Sequence, residues 1–162
     1  MANKKSFTPD EWKRLLEGVM MAGIAVSAAE PSGLWGTLKE SFASAQAMTA
    51  GKSGSSELVK ALIADLETSE GRGIAREGLT EQLKGSKPPE IKTKSIEALR
   101  QLTGLLESKA PEDTGAVKTW LLGISQAAAE ASKEGGFLGF GGVQVSDAER
   151  ATIDEIKSTL KV

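Results

Sequence analysis

The order of apolar and polar residues along this chain is typical of an all-helical protein. Apolar residues recur at three- and four-residue steps almost throughout, whereas the strict alternation that marks a half-buried strand is scarce. The pattern therefore predicts an all-α fold, a single compact domain of six or seven helices that spans residues 1–162. Residues 1–6 are expected to form a flexible N-terminus.

The first helix has a complete start signal. Thr8 is placed to cap the helix, Pro9 takes its first position, and Glu11 closes a Thr-x-x-Glu capping box. Phe7 precedes the cap and is positioned to pack on Trp12. We expect one inward face on this helix, formed by Trp12, Leu15, Leu16, Val19, Met20, Gly23, Ile24 and Ser27.

Glycine and proline divide the middle of the chain. We expect a second helix at about 34–48, a linker at 51–56 and a third helix over 58–66. The pattern weakens around 69–73, and the run at 84–94, with four lysines and two prolines, is interpreted as a solvated connector. A fifth helix is expected to begin near Pro89, and a sixth carries Val117, Trp120, Leu121, Ile124 and Ala128.

The region 124–160 is the most informative part of the sequence. A helix rich in small residues leads into a loop, 134–145, in which five glycines surround Phe137, Leu138 and Phe140. Glycine allows positive φ, whereas turn residues in soluble loops are mostly polar or small rather than bulky and apolar. Ser146 and Glu149 then form a second capping box, which predicts the start of the last helix.

Two distant segments of the chain are similar in sequence. Ile24 followed by Ala28-Ala29-Glu30 is matched by Ile124 followed by Ala128-Ala129-Glu130, and each copy leads to a glycine and a bulky apolar pair. A duplication would make the two halves pseudo-symmetric helical hairpins. Alanine-rich helices also match by chance, and the sequence leaves both explanations open.

The same region resembles the TerB-like family, which is associated with tellurite resistance. The shared features are Ala129-Glu130-Ala131 at the end of a small-residue helix and Ser146-Asp147-Ala148-Glu149 at the start of the last helix. The resemblance covers about a quarter of the chain. It implies a compact helical fold whose pseudo-repeated helices end in acidic loops. Where the family has Asp-Gly, this chain has Ser132-Lys133 or Pro31-Ser32.

Composition excludes several kinds of chemistry. The chain has no Cys, His or Tyr, so disulfides, thiol or imidazole catalysis and the usual zinc and iron ligand sets are excluded. A net charge of −2 with interspersed signs does not predict a nucleic-acid footprint. The best apolar run, 18–29, is shorter than the roughly 20 residues of a membrane span. We expect a cytoplasmic protein that is not an enzyme.

Four large apolar residues are candidate binding residues. Phe137, Leu138 and Phe140 lie in the glycine-rich loop, and Trp35 follows the matching segment of the first half. They either close the open end of the helical bundle or form an exposed anchor for a partner or a membrane surface. Burial is the default for large apolar side chains, but glycine neighbours permit both arrangements.

The same loop also offers a candidate cation site. Glu130, Glu134, Asp147 and Glu149, with glycine carbonyls, are hard oxygen ligands suited to Ca²⁺, Mg²⁺ or Mn²⁺. Their spacing matches no EF-hand loop. The alternative is that Glu130 and Glu134 are solvated while Asp147 and Glu149 serve the start of the last helix, where carboxylates are expected anyway.

These observations together predict a non-catalytic binding or interaction protein whose partner is a protein. Its contact surface is expected at the end formed by 30–35 and 135–146. A hard-cation site there, or a cavity between the glycine- and alanine-rich helices that carries a small apolar ligand, are the alternatives. Neither the physiological process nor the oligomeric state follows from the sequence.

Overall fold

Seven α-helices make up the described part of the computed structural model. It describes residues 1–29, 40–134 and 145–162 and, within them, all side chains except those of 40–44 and 131–134. In chain order the helices are α1 (Pro9–Ser27), α2 (Glu40–Ala50), α3 (Glu57–Glu67), α4 (Ser69–Leu83), α5 (Pro88–Lys109), α6 (Pro111–Glu134) and α7 (Asp147–Leu160). These ranges contain no strand, which confirms the predicted all-α class.

Both helix starts predicted from capping boxes are confirmed. The Thr8 side chain accepts from the Glu11 N–H, the Glu11 carboxylate accepts from the Thr8 N–H at 2.8 Å, and Pro9 is the first helical residue. At α7, the Ser146 hydroxyl accepts from the Glu149 N–H at 3.1 Å, and the Glu149 carboxylate accepts from the Ser146 N–H at 2.9 Å. Each box satisfies backbone donors that a helix start leaves free.

α1 is the central helix and is buried on nearly every side. It packs against α3, α4, α5, α6 and α7. The single inward face predicted from the sequence was therefore wrong in part: Met20, Ile24 and Ser27 are only half-buried. Positions outside that predicted face are buried instead, namely Met21, Ala22, Ala25 and Val26. A helix packed against five others is buried on more than one face, so a single apolar stripe does not describe it.

Local boundaries differ from the expectation at two places. Thr68 ends α3 and also caps α4, accepting from the Gly71 N–H at 2.9 Å, so the weakly patterned stretch 69–73 is the first part of a helix. α5 begins at Pro88, and most of the expected connector 84–94 is therefore helical. The remaining turn contains Gly85 at φ +72°, a conformation that favours glycine.

The segment expected to be a flexible N-terminus is attached to the bundle. Residues Lys4–Ser6 form a short 3₁₀ helix, and Ala2 is buried. The Ala2 N–H donates to the Asp113 carboxylate at 2.8 Å, which lies in the first turn of α6. In the expected linker 51–56, Gly51–Ser53 forms another 3₁₀ turn. These contacts fix where α1 and α3 begin relative to α6.

Candidate functional site

The four apolar binding candidates from the sequence, Trp35, Phe137, Leu138 and Phe140, lie outside the described residues. The structure does describe the helices on either side of them. α1 ends at Ser27 and α2 begins at Glu40, while α6 ends at Glu134 and α7 begins at Asp147. The relative direction of α1 and α6 therefore decides whether the chain enters the two segments at the same end of the bundle.

α1 and α6 run parallel. Near their starts, Glu11 in the first turn of α1 accepts from Lys109, which lies two residues before α6 begins, at 2.7 Å. Near their ends, the buried Ser125 hydroxyl of α6 donates to the Ala22 carbonyl of α1 at 2.7 Å. Two contacts at corresponding ends require the helices to point the same way. The chain therefore enters both the 30–39 and the 135–144 segments from one end of the bundle.

The two similar segments begin on these adjacent helices, at Ile24 in α1 and Ile124 in α6, but in different surroundings. Ile124 is fully buried, whereas its counterpart Ile24 is half-buried. The Ser125 hydroxyl, which donates to Ala22 of α1, also lies 3.2 Å from the Leu121 carbonyl of its own helix. The short serine side chain reaches the α1 backbone because the two helices lie close together there. Ala28 and Ala29 lie beyond the end of α1 and Glu30 lies outside the described residues, so the structure compares only the first part of the two segments.

The candidate cation ligands are not brought together in the described residues. Glu130 and Asp147 are exposed, and the Glu134 side chain lies outside the description. Glu149 is 3% exposed, and its carboxylate accepts from the Ser146 N–H, as the capping alternative predicts. Across 1–29, 40–134 and 145–162, no three Asp or Glu side chains form a group that could hold a metal ion. The cation site remains a prediction.

Glu17 is a buried carboxylate that the sequence analysis missed. It lies on α1 and is only 3% exposed. The Gln82 amide of α4 donates to its Oε2 at 2.5 Å, and the Lys13 ammonium lies 4.0 Å from its Oε1. A Cβ added at Gly78 would lie 1.6 Å from Oε1, so the carboxyl group rests directly on the α4 backbone. Glycine at position 78 creates this niche.

The surroundings of Glu17 favour its protonated form. Burial raises the pKa of Glu17 above its ordinary value of 4.5 and outweighs the opposing effects of Lys13 and of the Gln82 hydrogen bond. The sequence does contain a signal that could have indicated a buried Glu17. Lys13 and Glu17 are four residues apart on one helix, and Glu17 interrupts an apolar run that reads Leu15, Leu16, then Gly18 and Val19.

Asp113 is another buried carboxylate, and it connects several elements at one end of the bundle. It is 3% exposed and accepts from the Ala2 N–H and from the Ser56 hydroxyl, each at 2.8 Å. Ser56 in turn caps α3 by accepting from the Val59 N–H. The N-terminal segment and the starts of α3 and α6 are thereby connected through one side chain. Because its oxygens are engaged by the protein itself, Asp113 has a structural role.

Other lysine and glutamate side chains also have partners within the chain. Lys118 is 6% exposed and donates to Glu107 at 2.9 Å, and this hydrogen bond lowers the pKa of Glu107 more than desolvation raises it. Lys94, in the basic run, donates to the Gln82 carbonyl and to the Ser86 hydroxyl. The shallow depression at this turn, lined by Lys84, Gly85, Ser86, Pro89, Glu90, Thr93 and Lys94, is open to solvent. These contacts stabilise local structure.

Comparison of the chain with protein-family models, with curated proteins and with solved structures found no match. The resemblance to the TerB-like family therefore rests on its sequence features alone. Within the described ranges, no helix has the length and apolar character needed to cross a membrane.

Proposed function

We propose that this protein is a non-catalytic binding protein that contacts another protein through the end of the bundle where α1 and α6 terminate. The observation that supports it is the parallel arrangement of those helices, inferred from contacts near their starts and near their ends. It brings the entry points of 30–39 and 135–144 to one end. The sequence supplies Trp35, Phe137, Leu138 and Phe140 in those two segments.

The rest of the surface offers little apolar area for binding. Among the large hydrophobic residues that the structure describes, only Met1 and Val162 are exposed, at 78% and 50%. Apolar anchors usually supply most of the energy of a protein contact. A contact based on such anchors is therefore best placed on the two segments. We extend the proposal, on the sequence resemblance alone, to a TerB-like role in the cytoplasm.

A photo-crosslinking amino acid at position 138 tests this proposal. We expect a discrete adduct with one protein in extracts of the source organism, and we expect excess unlabelled protein to compete for it. The matched control is the same amino acid at Gln126, an exposed position on α6, which leads into that segment. Equal adduct yields from positions 126 and 138 would exclude a contact surface at this end.

Thermal melts distinguish the cation alternative. A divalent ion that binds the native state selectively raises the melting temperature, and the rise grows with the logarithm of the ion concentration once that exceeds Kd. The binding proposal predicts the same melting temperature with and without Ca²⁺, Mg²⁺ or Mn²⁺. A concentration-dependent rise with one of the three, abolished by Glu134→Gln, would favour the cation site instead.

A further inference from the structure

α4 covers a small apolar cluster that is separate from the main core. The cluster consists of Met21 from α1, Leu79 and Leu83 from α4, and Ile91 from α5. Met21 and Ile91 are at most 1% exposed, whereas both leucines are 9% exposed. The leucines of α4 therefore lie at the rim, and α4 covers one side of the cluster that contains Met21 and Ile91.

The attachment of α4 is weak compared with that of its neighbours. Besides the two leucines, its buried residues are Gly71, Ala75 and Gly78, which contribute little apolar area. Gly73 adds a third glycine, and each helical glycine favours the unfolded chain. Elements with few apolar contacts open locally at lower free energy than the protein unfolds globally.

The contact between α4 and α1 contains Glu17, a carboxyl group whose ionised form burial disfavours more than its neighbours favour it. Glu17 meets α4 at Gly78 and is held by the neutral amide of Gln82. Its nearest cation, Lys13, is 4.0 Å away and lies closer to Glu81, at 3.3 Å, which raises the pKa of Lys13.

The other charges around this carboxyl group do not compensate for its burial. Arg14 of α1 favours the ionised form of Glu17, whereas Glu81 of α4 opposes it. Glu77 of α4 acts on Lys13. On the α5 side, the adjacent position Gly18 faces the apolar Leu102. An ionised Glu17 is thus incompletely compensated in the closed structure.

We propose that α4 is a pH-sensitive cover over the Met21 and Ile91 cluster, which opens more often once Glu17 loses its proton in the Gly78 niche. The closed form binds this proton more tightly than the open form, in which water reaches the carboxyl group. Closure is therefore most stable below the ordinary pKa of 4.5 and weakens as the pH rises through the raised pKa. For each unit by which the pKa of Glu17 is higher in the closed form than in the open form, opening becomes about tenfold more frequent at the alkaline end of the range.

Two measurements on the full chain test this proposal between about pH 5 and about pH 8, above the range of general acid unfolding. Hydrogen exchange, corrected for the intrinsic rate, reports opening of Ser69–Leu83. Peroxide oxidation reports exposure of Met21, with the exposed Met1 as an internal reference. We expect α4 exchange and Met21 oxidation to increase together with pH, while the buried part of α6 stays protected.

The Glu17→Gln variant keeps the size of the side chain and an acceptor for Gln82 but cannot titrate. It should lose the pH dependence of both signals. The matched control, Glu77→Gln on the exposed face of α4, should retain it. Wild-type opening that is independent of pH, or a Glu17→Gln variant with the wild-type dependence, would overturn the proposal.

A second variant covers the case in which Glu17→Gln does not fold. Lys13→Met removes the nearest cation from Glu17, so the carboxyl group should hold its proton to a higher pH. The midpoint of α4 opening should then move upward. If the Lys13→Met variant folds and its pH midpoint of α4 opening equals that of the wild type, the proposal is contradicted.

Discussion

The indole N–H of Trp12 donates to the Asp65 carboxylate at 2.6 Å and thereby joins the first turn of α1 to α3. Lys4 donates to the same carboxylate at 2.9 and 3.1 Å. Burial acts to raise the pKa of Asp65, but the hydrogen bonds from Trp12 and Lys4 outweigh it and hold that pKa below the ordinary 3.8. The folded state therefore gains stability from the ionised form.

Asp65→Asn should destabilise the protein at neutral pH by about 1.5–3 kcal/mol, the usual value of hydrogen bonds to a charged group. Because the folded pKa is lowered, this contribution is present above the ordinary pKa of 3.8 and is lost as the pH falls through the folded pKa. Urea unfolding at a series of pH values should show wild type and variant converging in acid.

The control for this experiment is Asp154→Asn on α7. The Asp154 side chain is 77% exposed and lies 3.9 Å from Lys157, so its removal should change stability by less than about 0.5 kcal/mol. If Asp65→Asn cost no more than Asp154→Asn at neutral pH, the role assigned to the Trp12 contact would be refuted.

Two glycines in α4 should respond oppositely to alanine. A Cβ at Gly71 would lie 2.1 Å from the Asp65 carbonyl oxygen, whereas nothing lies within 4 Å of one at Gly73. Gly71→Ala should therefore destabilise by about 1–3 kcal/mol through overpacking against backbone. Gly73→Ala should stabilise by about 0.5–1 kcal/mol because alanine favours the helix. Chemical denaturation of both variants is the measurement, and shifts of the same sign would contradict the packing described at α4.

Removing either helix cap should have a similar cost. Thr8→Ala and Ser146→Ala each eliminate a side chain that accepts a hydrogen bond from the third residue of the helix. We expect a loss of about 1 kcal/mol in each case. Ser158→Ala, an exposed serine within α7, is the comparison, and its unfolding midpoint should match wild type. A loss at Ser158 equal to that at Ser146 would argue against capping as the cause.

The orientation of the loop aromatics can be decided by stability. If Phe137 closes the bundle, Phe137→Ala should cost about 3–5 kcal/mol, whereas an exposed phenylalanine should change stability by less than about 0.5 kcal/mol. We expect the larger loss, because position 137 is three residues beyond the end of α6 and is the nearest of the loop's large apolar residues to that helix. A Phe137→Ala melt that overlays wild type would assign Phe137 to the contact surface together with Leu138.

The sequence predicts what depends on near neighbours and misses what depends on tertiary packing. Both capping boxes were found because Thr8 with Glu11, and Ser146 with Glu149, interact within one turn. The surroundings of Met21 were not, because α1 packs against five helices and is therefore buried on more than the one face that periodicity predicts. Glu17 was missed for a related reason. The local signal is only that a glutamate interrupts an apolar run, and the partners that cover it, Gly78 and Gln82, are far away in the chain.

The position of α1 at the centre of the bundle constrains the order in which the protein acquires its structure. Ser125 is 103 residues beyond Ala22, so the ribosome supplies it roughly 5–20 s later at usual elongation rates. During that interval α1 has been made, but α5 and α6, its principal partners, are incomplete. α1 is thus made well before its principal partners, and its apolar surface is a predicted binding site for chaperones during synthesis.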